Sequence, residues 1–491
     1  MKEDLKDRAP EIRSPEIEKK DEGYRRSSYQ HLVKVPGAPD LIFFGKKGEF
    51  EASPLGPDEV ELSPDVVLLD SSDAHVRGEK GMHPLAKGKT FIPLHEGAGR
   101  ITNVGESVTR FKAGDYVAVE STIPSKDTPR PSLDGDLQIV GIGTDGLATE
   151  RAVLPQQVIV KIPEDIKPEI AAQFEPWGVS VHAITRGQRI YQAMTGNDPL
   201  EAMHLINGGT GSIGRLTIAT LIADGVSPEN ILATGTTPEK LEMLSKSFPS
   251  VKVINLKEQE ETRRLLTEVG PQLQKAGGSV PIVIEATGFD PSNILDFVGS
   301  NTIFVTVGLS TQIKDGKDQG VDNNNMLTRF QRVILTGGQM EEEQLLEKIQ
   351  TIYKDTVDET REPDILRIDS TSDADDPLEN GDRFDIVIDN LGISPSSLHK
   401  LTRRGAIWVL GGPVEGNDSL PTKDLLEKGV TLVGSWARDW EDWDKMIKFI
   451  QSGKFNIQEL PVRLFPFRED TWQLAFDNAR AGKTGYSMKD K

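Results

Sequence analysis

The chain has 491 residues, long enough for about three domains, and 57 Lys plus Arg against 77 Asp plus Glu leave a formal charge of −20. That sign excludes a surface built for nucleic acid or for anionic membrane, both of which need basic patches. There is no cysteine, which excludes disulfides, thiolate nucleophiles, iron–sulfur clusters and zinc sites that use sulfur, so any metal has to be held by His, Asp and Glu.

Residues 1–36 are mostly charged or polar and hold three prolines, which reads as a surface-wrapping extension. They contain no apolar h-region, and no apolar run in the chain approaches 18 residues, so a cytoplasmic protein without signal peptide or membrane helix is expected. From Leu41, short apolar runs (LIFF, VVLL, TFIPL, YVAVE, VIVKI) separated by Gly, Pro and Asp predict a barrel-like antiparallel β domain to about residue 163. Within it, 121–147 is rich in Pro, Gly, Ser and Asp and reads as a lobe or lid. From about residue 167 the pattern turns helical, then alternates β-branched runs (MHLING, NILATG, VKVINL, PIVIEATG, TIFVTVG, VILTGG) with helical segments such as PEKLEMLSKSF. That alternation implies a parallel sheet with helices on both faces.

An internal similarity lies in this half. PIVIEATGFDPSNILDFVGSNTIFVTVG (281–308) aligns without gaps on DIVIDNLGISPSSLHKLTRRGAIWVLGG (385–412) at an offset of 104, with Glu285 on Asp389 and Gly308 on Gly412. ILATG (231–235) and VILTG (333–337) would extend it. Either all strand–helix–strand units look alike, or a nucleotide-binding sheet is partly duplicated. Between the copies, residues 369–382 hold six acidic residues in fourteen, the texture of a solvated loop.

LINGGTGSIG (205–214) places Gly209, Gly211 and Gly214 in a GxGxxG, with Ser212 and Ile213 inside it, after an apolar strand and before a helix. In that context the first glycine permits the turn, the second admits a pyrophosphate and the third lets helix and strand pack. Where an Asp or Glu would bond the adenosine ribose diol, the chain has Gly235, followed by Thr236, Thr237 and Lys240. Nothing there repels a 2′-phosphate, which tilts the choice of NADP or NAD toward NADP. Thr287 and Gly308 complete the candidate cofactor-binding residues.

HEGAGRITNVGESVTRFKAGDYVAV (95–119), FEPWGVSVHAI (174–184), the GxGxxG and the tail at 430–483 together resemble the medium-chain dehydrogenase/reductase superfamily of zinc alcohol and polyol dehydrogenases. The resemblance spans roughly 40–310 and 383–483. It implies an α/β fold: a GroES-like β-barrel catalytic domain (37–185 with 446–491) and a doubly wound Rossmann cofactor domain (186–445) carrying extra repeated strand–helix–strand units. The family's catalytic zinc is held by a Cys, the His of a GHE segment, often its Glu, and a Cys or Glu near EP. Where the family has C-G-[ST]-D-x-H, this chain has Asp70-Ser71-Ser72-Asp73-Ala74-His75, so Asp70 stands in the cysteine's place. His95 and Glu96 match the GHE pair, with Leu94 for the glycine, and Glu175 matches the glutamate of polyol- and glucose-type members. The implied ligands are therefore Asp70, His95, Glu96 and Glu175, for zinc or another divalent cation. Ser72 and His75 fall where the family keeps a proton relay, and Glu96 is grouped with them as catalytic. The family's structural zinc lobe needs four cysteines and cannot form here.

The expectation is a metal-dependent NAD(P)-linked oxidoreductase interconverting a secondary alcohol (sugar, polyol or cyclitol) and its ketone or lactone. A small alcohol or carbonyl substrate, a homo-oligomer (dimer or tetramer) and one cofactor per chain go with it, because the second copy lacks a GxGxxG. A zinc-independent enone or quinone reductase and a non-catalytic nucleotide-binding scaffold stay open. His182 is read as structural, and the three tryptophans of WARDWEDW (436–443) as packing residues.

Overall fold

The computed structural model describes residues 55–70, 89–128, 137–258, 438–455, 462–478 and 483–489 as continuous stretches, with short strands and single positions, Asp73 among them, elsewhere. Two sheets organise these residues.

The first sheet is built on β1 (Glu59–Leu69) and β2 (Glu96–Val104), joined by β3 (Tyr116–Val119), β4 (Ala152–Pro155) and β5 (Ile159–Lys161). Its order runs β5-β3-β2-β1 and continues into two strands from the far end of the chain, with β4 also on β1. Among the described residues no pairing closes the sheet into a barrel. The strand β1 is buried on one face up to Ser63 and on both from Pro64, and its register shifts between Pro64 and Val66. A one-residue shift inverts the faces of a strand. Accordingly Val60 and Leu62, before the shift, share a core with Val67 and Leu69 after it. Val66 and Leu68 point the other way, into a second core with Trp177, Val181 and Leu216 that joins the two sheets. The segment 121–147 is not a plain loop. It contains a small sheet of Thr122–Ile123, Gln138–Val140 and Gly143–Thr144.

The helix α1 (Phe174–Thr195) leads to the second sheet, and Gly196, with φ of 74°, ends it in the left-handed conformation that favours glycine. Then come β6 (His204–Asn207), α2 (Ser212–Asp224), β7 (Ile231–Gly235), α3 (Pro238–Ser247), β8 (Lys252–Asn255), β9 (Ile282–Glu285) and β10 (Ile303–Thr306). Further on lie β11 (Arg332–Leu335), β12 (Ile365–Ile368), β13 (Phe384–Asp389), β14 (Thr402–Leu410) and β15 (Thr431–Gly434). Ten strands form one sheet in the order β8-β7-β6-β9-β10-β15-β11-β14-β13-β12. All neighbours are parallel except β15 and β11, which meet antiparallel. The first six follow the 3-2-1-4-5-6 order of a doubly wound nucleotide-binding sheet. Being covered on both faces, they read as continuous β-branched runs, and Ile206, Ala233, Ile284 and Val305 lie in one core.

The similarity at offset 104 sets β9 against β13 and β10 against β14. In the sheet, β10 is followed outward by β15 and β14 by β11, so the strand next in chain order after each copy lies in the other half. The expected extension, ILATG against VILTG, fails: Ile231–Gly235 is one strand from the outer edge, whereas Arg332–Leu335 lies at the antiparallel seam. Periodicity gave both the same look, and only the pairing separates them.

After β15 the chain forms α4 (Trp440–Gln451), β16 (Arg463–Pro466), α5 (Trp472–Asn478) and β17 (Thr484–Ser487). The last strand pairs antiparallel with β1, Tyr486 opposite Val67, so the tail completes the first sheet. No helix among the described residues is long and apolar enough to cross a membrane.

Candidate active site

Three segments meet at His95: residues 70–73, 95–96 and the start of α1 at Glu175. At the C-terminal end of β1, Asp70 and Asp73 cap each other: the Asp73 N–H donates to Asp70 Oδ1 at 2.9 Å and the Asp70 N–H to Asp73 Oδ2 at 3.0 Å. His95 and Glu96 open β2 after Leu94, whose φ of 75° makes it the one non-glycine residue in the left-handed region among those described. The Leu94 carbonyl accepts from the Leu147 N–H at 2.8 Å, and its side chain is buried, which holds the unfavourable turn in place. The site where the family resemblance expects glycine is thus a position at which glycine would be unstrained.

The His95 ring is divided between two carboxylates. Nδ1 lies 3.2 Å from Asp73 Oδ1 and Nε2 lies 3.7 Å from Asp70 Oδ2. The Asp73 contact is one of charge and distance, since neither Asp73 Oδ1 nor His95 Nδ1 makes a hydrogen bond among the described residues, and Nε2 lies on the Asp70 side. Ligand atoms of Asp70, Asp73 and His95 lie within 4.8 Å of one another, as do those of His95, Glu96 and Glu175. The other three implied ligands, Asp70, Glu96 and Glu175, thus lie near His95 in two groups that share its imidazole. Carboxylate oxygens and an imidazole nitrogen are a donor set that suits zinc or another hard divalent cation, so the residues fit the group.

Electrostatics reflect the crowding. Burial pushes the Asp73 carboxyl up to about 6, against the pull of His95. Burial also pushes Glu96 up to about 8, with Asp70 and Glu175 adding to the shift and Lys483 opposing it. Desolvation would lower His95, but Asp73 and Asp70 hold it well above the ordinary imidazole value. Glu175 differs: burial would raise it, yet Arg438 and His95 bring it below the usual carboxylate value.

Two buried cations supply that compensation. The Lys483 ammonium, just before β17, donates to Glu96 Oε1 at 2.6 Å. The Arg438 guanidinium pairs through Nε with Glu120 Oε2. Its remaining nitrogens donate to the Glu175 carbonyl at 2.8 Å, to Ser121 Oγ at 2.8 Å and to Glu175 Oε1 at 2.5 Å. Ser121 Oγ itself donates to Glu175 Oε1 at 2.7 Å. Neither cation is evident from the sequence, and Asp73 is visible there only as part of the Asp70–His75 motif. Arg438 lay hidden in WARDWEDW, where the tryptophans draw the eye. Trp443 and Trp440 do pack, and their indole N–H groups donate to Glu120 Oε2 at 2.8 Å and to the Thr128 carbonyl at 3.0 Å. His182 is buried with Nδ1 2.7 Å from Asp442 Oδ2 and Nε2 3.1 Å from Arg186, a tie between α1 and α4.

The glycine loop spans the end of β6 and the start of α2. Gly208 has a φ of 80°, and the Gly211 N–H closes the turn onto the Gly208 carbonyl at 2.9 Å. A Cβ on Gly214 would lie 2.3 Å from that carbonyl and one on Gly209 2.7 Å from the Ala233 Cβ, so both must be glycine. Ser212 and Ile213 begin the helix, whose N-terminal N–H groups suit phosphate. Beneath the loop, Thr234 Oγ1 accepts from the Gly208 N–H at 3.1 Å and donates to Asn207 Oδ1, while Asn207 donates to Glu285. This buried polar row across β7, β6 and β9 was not anticipated. Gly235 ends β7, with Thr236 and Thr237 exposed and Lys240 partly exposed on α3. Ser72, His75, Thr287 and Gly308 lie outside the described residues.

Comparison with known proteins bears on the family and the fold. Residues 56–164 match the family model described as alcohol dehydrogenase GroES-like domain, and residues 332–452 match that described as zinc-binding dehydrogenase. The second match covers the strands beyond the seam and α4, not the glycine loop. A sorbitol dehydrogenase of Bacillus subtilis is 30% identical over 43% of this chain and 58% of its own length. A D-xylulose reductase of Morganella morganii is 26% identical over 52% of this chain and 72% of its own. Against the sorbitol enzyme, the chain spans little more than half of the relative it matches. In fold, the chain resembles a structure described as a short-chain alcohol dehydrogenase of Escherichia coli CFT073 complexed with NADH. The TM-score is 0.57 at 14% identity, over 94% of this chain and 99% of that one.

Proposed function

Because the chain belongs to the medium-chain dehydrogenase/reductase superfamily, we propose that it oxidises a secondary alcohol of a sugar, polyol or cyclitol, and reduces the corresponding ketone or lactone, with a divalent metal and NAD(P). The observation that carries this reading is the convergence of Asp70, Glu96 and Glu175 on His95. When bound, the metal supplies a Lewis acid for the alcohol oxygen and the nicotinamide an acceptor for hydride. Asp70, His95, Glu96 and Glu175 would hold the cation. The Asp73 carboxylate, 3.2 Å from Nδ1, would attract that side of the imidazole and leave Nε2 for the cation. Lys483 and Arg438 keep the carboxylates from repelling one another. Ser72 Oγ would take the substrate hydroxyl proton and pass it toward His75 and solvent. The relatives named for sorbitol and xylulose support a polyol or ketose substrate.

The cofactor would lie on the glycine loop at the N-terminus of α2. A preference for NADP is supported by Gly235, which puts no carboxylate where the ribose diol would bind; a Cβ there would press on Thr210 Cγ2 at 2.7 Å and Leu241 Cδ2 at 2.8 Å. The enzyme would be cytoplasmic and a homo-oligomer. Chelation followed by assays on sugar alcohols with NADP and NAD tests the reading; full turnover after complete demetallation overturns it.

One observation favours a metal-free alternative. Glu96 and Glu175 already have cationic partners in Lys483 and Arg438, as they would in a reductase that needs no metal. Glu175→Gln separates the two better than Ala, because it leaves Arg438 a hydrogen-bond acceptor. Loss of turnover supports the metal centre, and retention supports the alternative.

A further inference from the structure

The Arg438 guanidinium lies at the junction of three segments that are remote in sequence. Its side chain is 2% exposed, and its donors end on Glu120, Ser121 and Glu175. Room for it is made by Gly178 on the second turn of α1, where a Cβ would sit 2.5 Å from Arg438 Cδ. The contacts on Glu175 are one-sided. Arg438 and Ser121 both donate to Oε1, and Arg438 also binds the Glu175 backbone carbonyl. None of these donors goes to Oε2. The carboxylate is therefore clamped along one edge, with a ligand oxygen near His95 and Glu96.

Arg438 follows β15, the strand that returns from beyond the seam to pair with β10. The strand that follows β10 in the chain with a like pattern, β11, is succeeded by Thr336-Gly337-Gly338-Gln339, with no cation. Which of the two strands lies beside β10 therefore decides whether a guanidinium reaches Glu175.

We propose that Arg438 is a positioning residue for Glu175: it holds the carboxylate by Oε1 so that the other oxygen serves the metal, and the exchange of strands across the seam delivers it there. The inference rests on the metal-centre reading above. A carboxylate ligand that is itself hydrogen-bonded is held in its binding orientation, and loss of such an outer partner costs roughly 10–100-fold in metal affinity. Lysine would restore the charge, but one ammonium cannot span Glu120, Ser121 and Glu175 as a planar fork does.

The test is a chelator-competition titration of the full-length protein with Zn²⁺, repeated with Co²⁺ to read the ligand field, alongside thermal melts. The expected order of affinity is wild type, then Ser121→Ala several-fold weaker, then Arg438→Lys, then Arg438→Met about 10–100-fold weaker, with the Co²⁺ spectrum altered in the Arg438 variants. If Arg438→Met fails to fold, Ser121→Ala and Arg438→Lys carry the test, because each keeps most of the packing. Wild-type affinity in all variants that fold, with only the melting temperature lowered, would make the network structural and overturn the proposal. Failure of the wild type to bind either metal would instead overturn the metal-centre reading and this inference with it.

Discussion

The two sides of the antiparallel seam are made of the same kind of unit yet are laid down differently. From β6 the chain moves outward to β7 and β8, then returns to set β9 and β10 on the opposite side. Adjacent connections diverge between β6 and β9, which opens the crevice where nucleotides bind in such sheets. Beyond the seam, β12, β13 and β14 follow one another in a single direction. No such divergence occurs among them, and that half carries no GxGxxG. Similar strand sequences therefore do not confer similar sites. Binding follows from the strand order and from one loop.

The sharpest way to break this comparison is Gly214→Val. Its Cβ would collide with the Gly208 carbonyl, a backbone atom that cannot step aside. Dinucleotide binding followed by fluorescence should fall more than about 100-fold, in line with the loss of a loop that cradles the phosphates. Residual tight binding would mean that the second half holds a nucleotide of its own. Calorimetry on the wild type gives the complementary count: one dinucleotide per chain is expected, and two would end the asymmetry.

A smaller effect concerns acid stability. His204 on β6 is fully buried, with Nδ1 3.0 Å from the Ala202 carbonyl and no partner for Nε2, and burial lowers it to about 4. It stays neutral in the fold while the unfolded chain binds a proton near pH 6.5. Between those values the unfolded state holds more protons, so stability rises with pH; it is whole above about 6.5 and is lost as the pH falls toward 4. The loss approaches about 3 kcal/mol. His204→Leu should remove about one proton from the pH slope of urea unfolding over that window. Hydrogen exchange should show β6 opening at a higher pH than β13; equal opening of both strands would blur the distinction between the halves.

The smallest effect sharpens the crevice itself. Lys240→Ala should weaken NADP about three- to ten-fold and leave NAD unchanged, as expected for one partly exposed charge. An equal loss for both cofactors would move the 2′-phosphate elsewhere.

Legibility followed locality. The loop at 205–214 was readable because turn, close approach and helix start are all encoded within ten residues. Asp70, His95, Glu96 and Glu175 were readable as a set through the family resemblance; in the structure Asp70 lies in one group with His95, and Glu96 and Glu175 in another. The small sheet within 121–147 was missed because its strands are two or three residues long and carry no periodicity. The row Thr234–Asn207–Glu285 was missed because each residue looks unremarkable until three strands set them side by side.

By itself the sequence determined the chemistry on offer: no thiol, a glycine-rich loop between strand and helix, and imidazole and carboxylates at the positions where the family resemblance places metal ligands. Tertiary structure alone decided how those charges are balanced. Lys483 reaches Glu96 across 387 positions and Arg438 reaches Glu120 across 318. Such partners obey no local spacing, because burying a charge demands an opposite charge nearby in space and is indifferent to the length of chain between them.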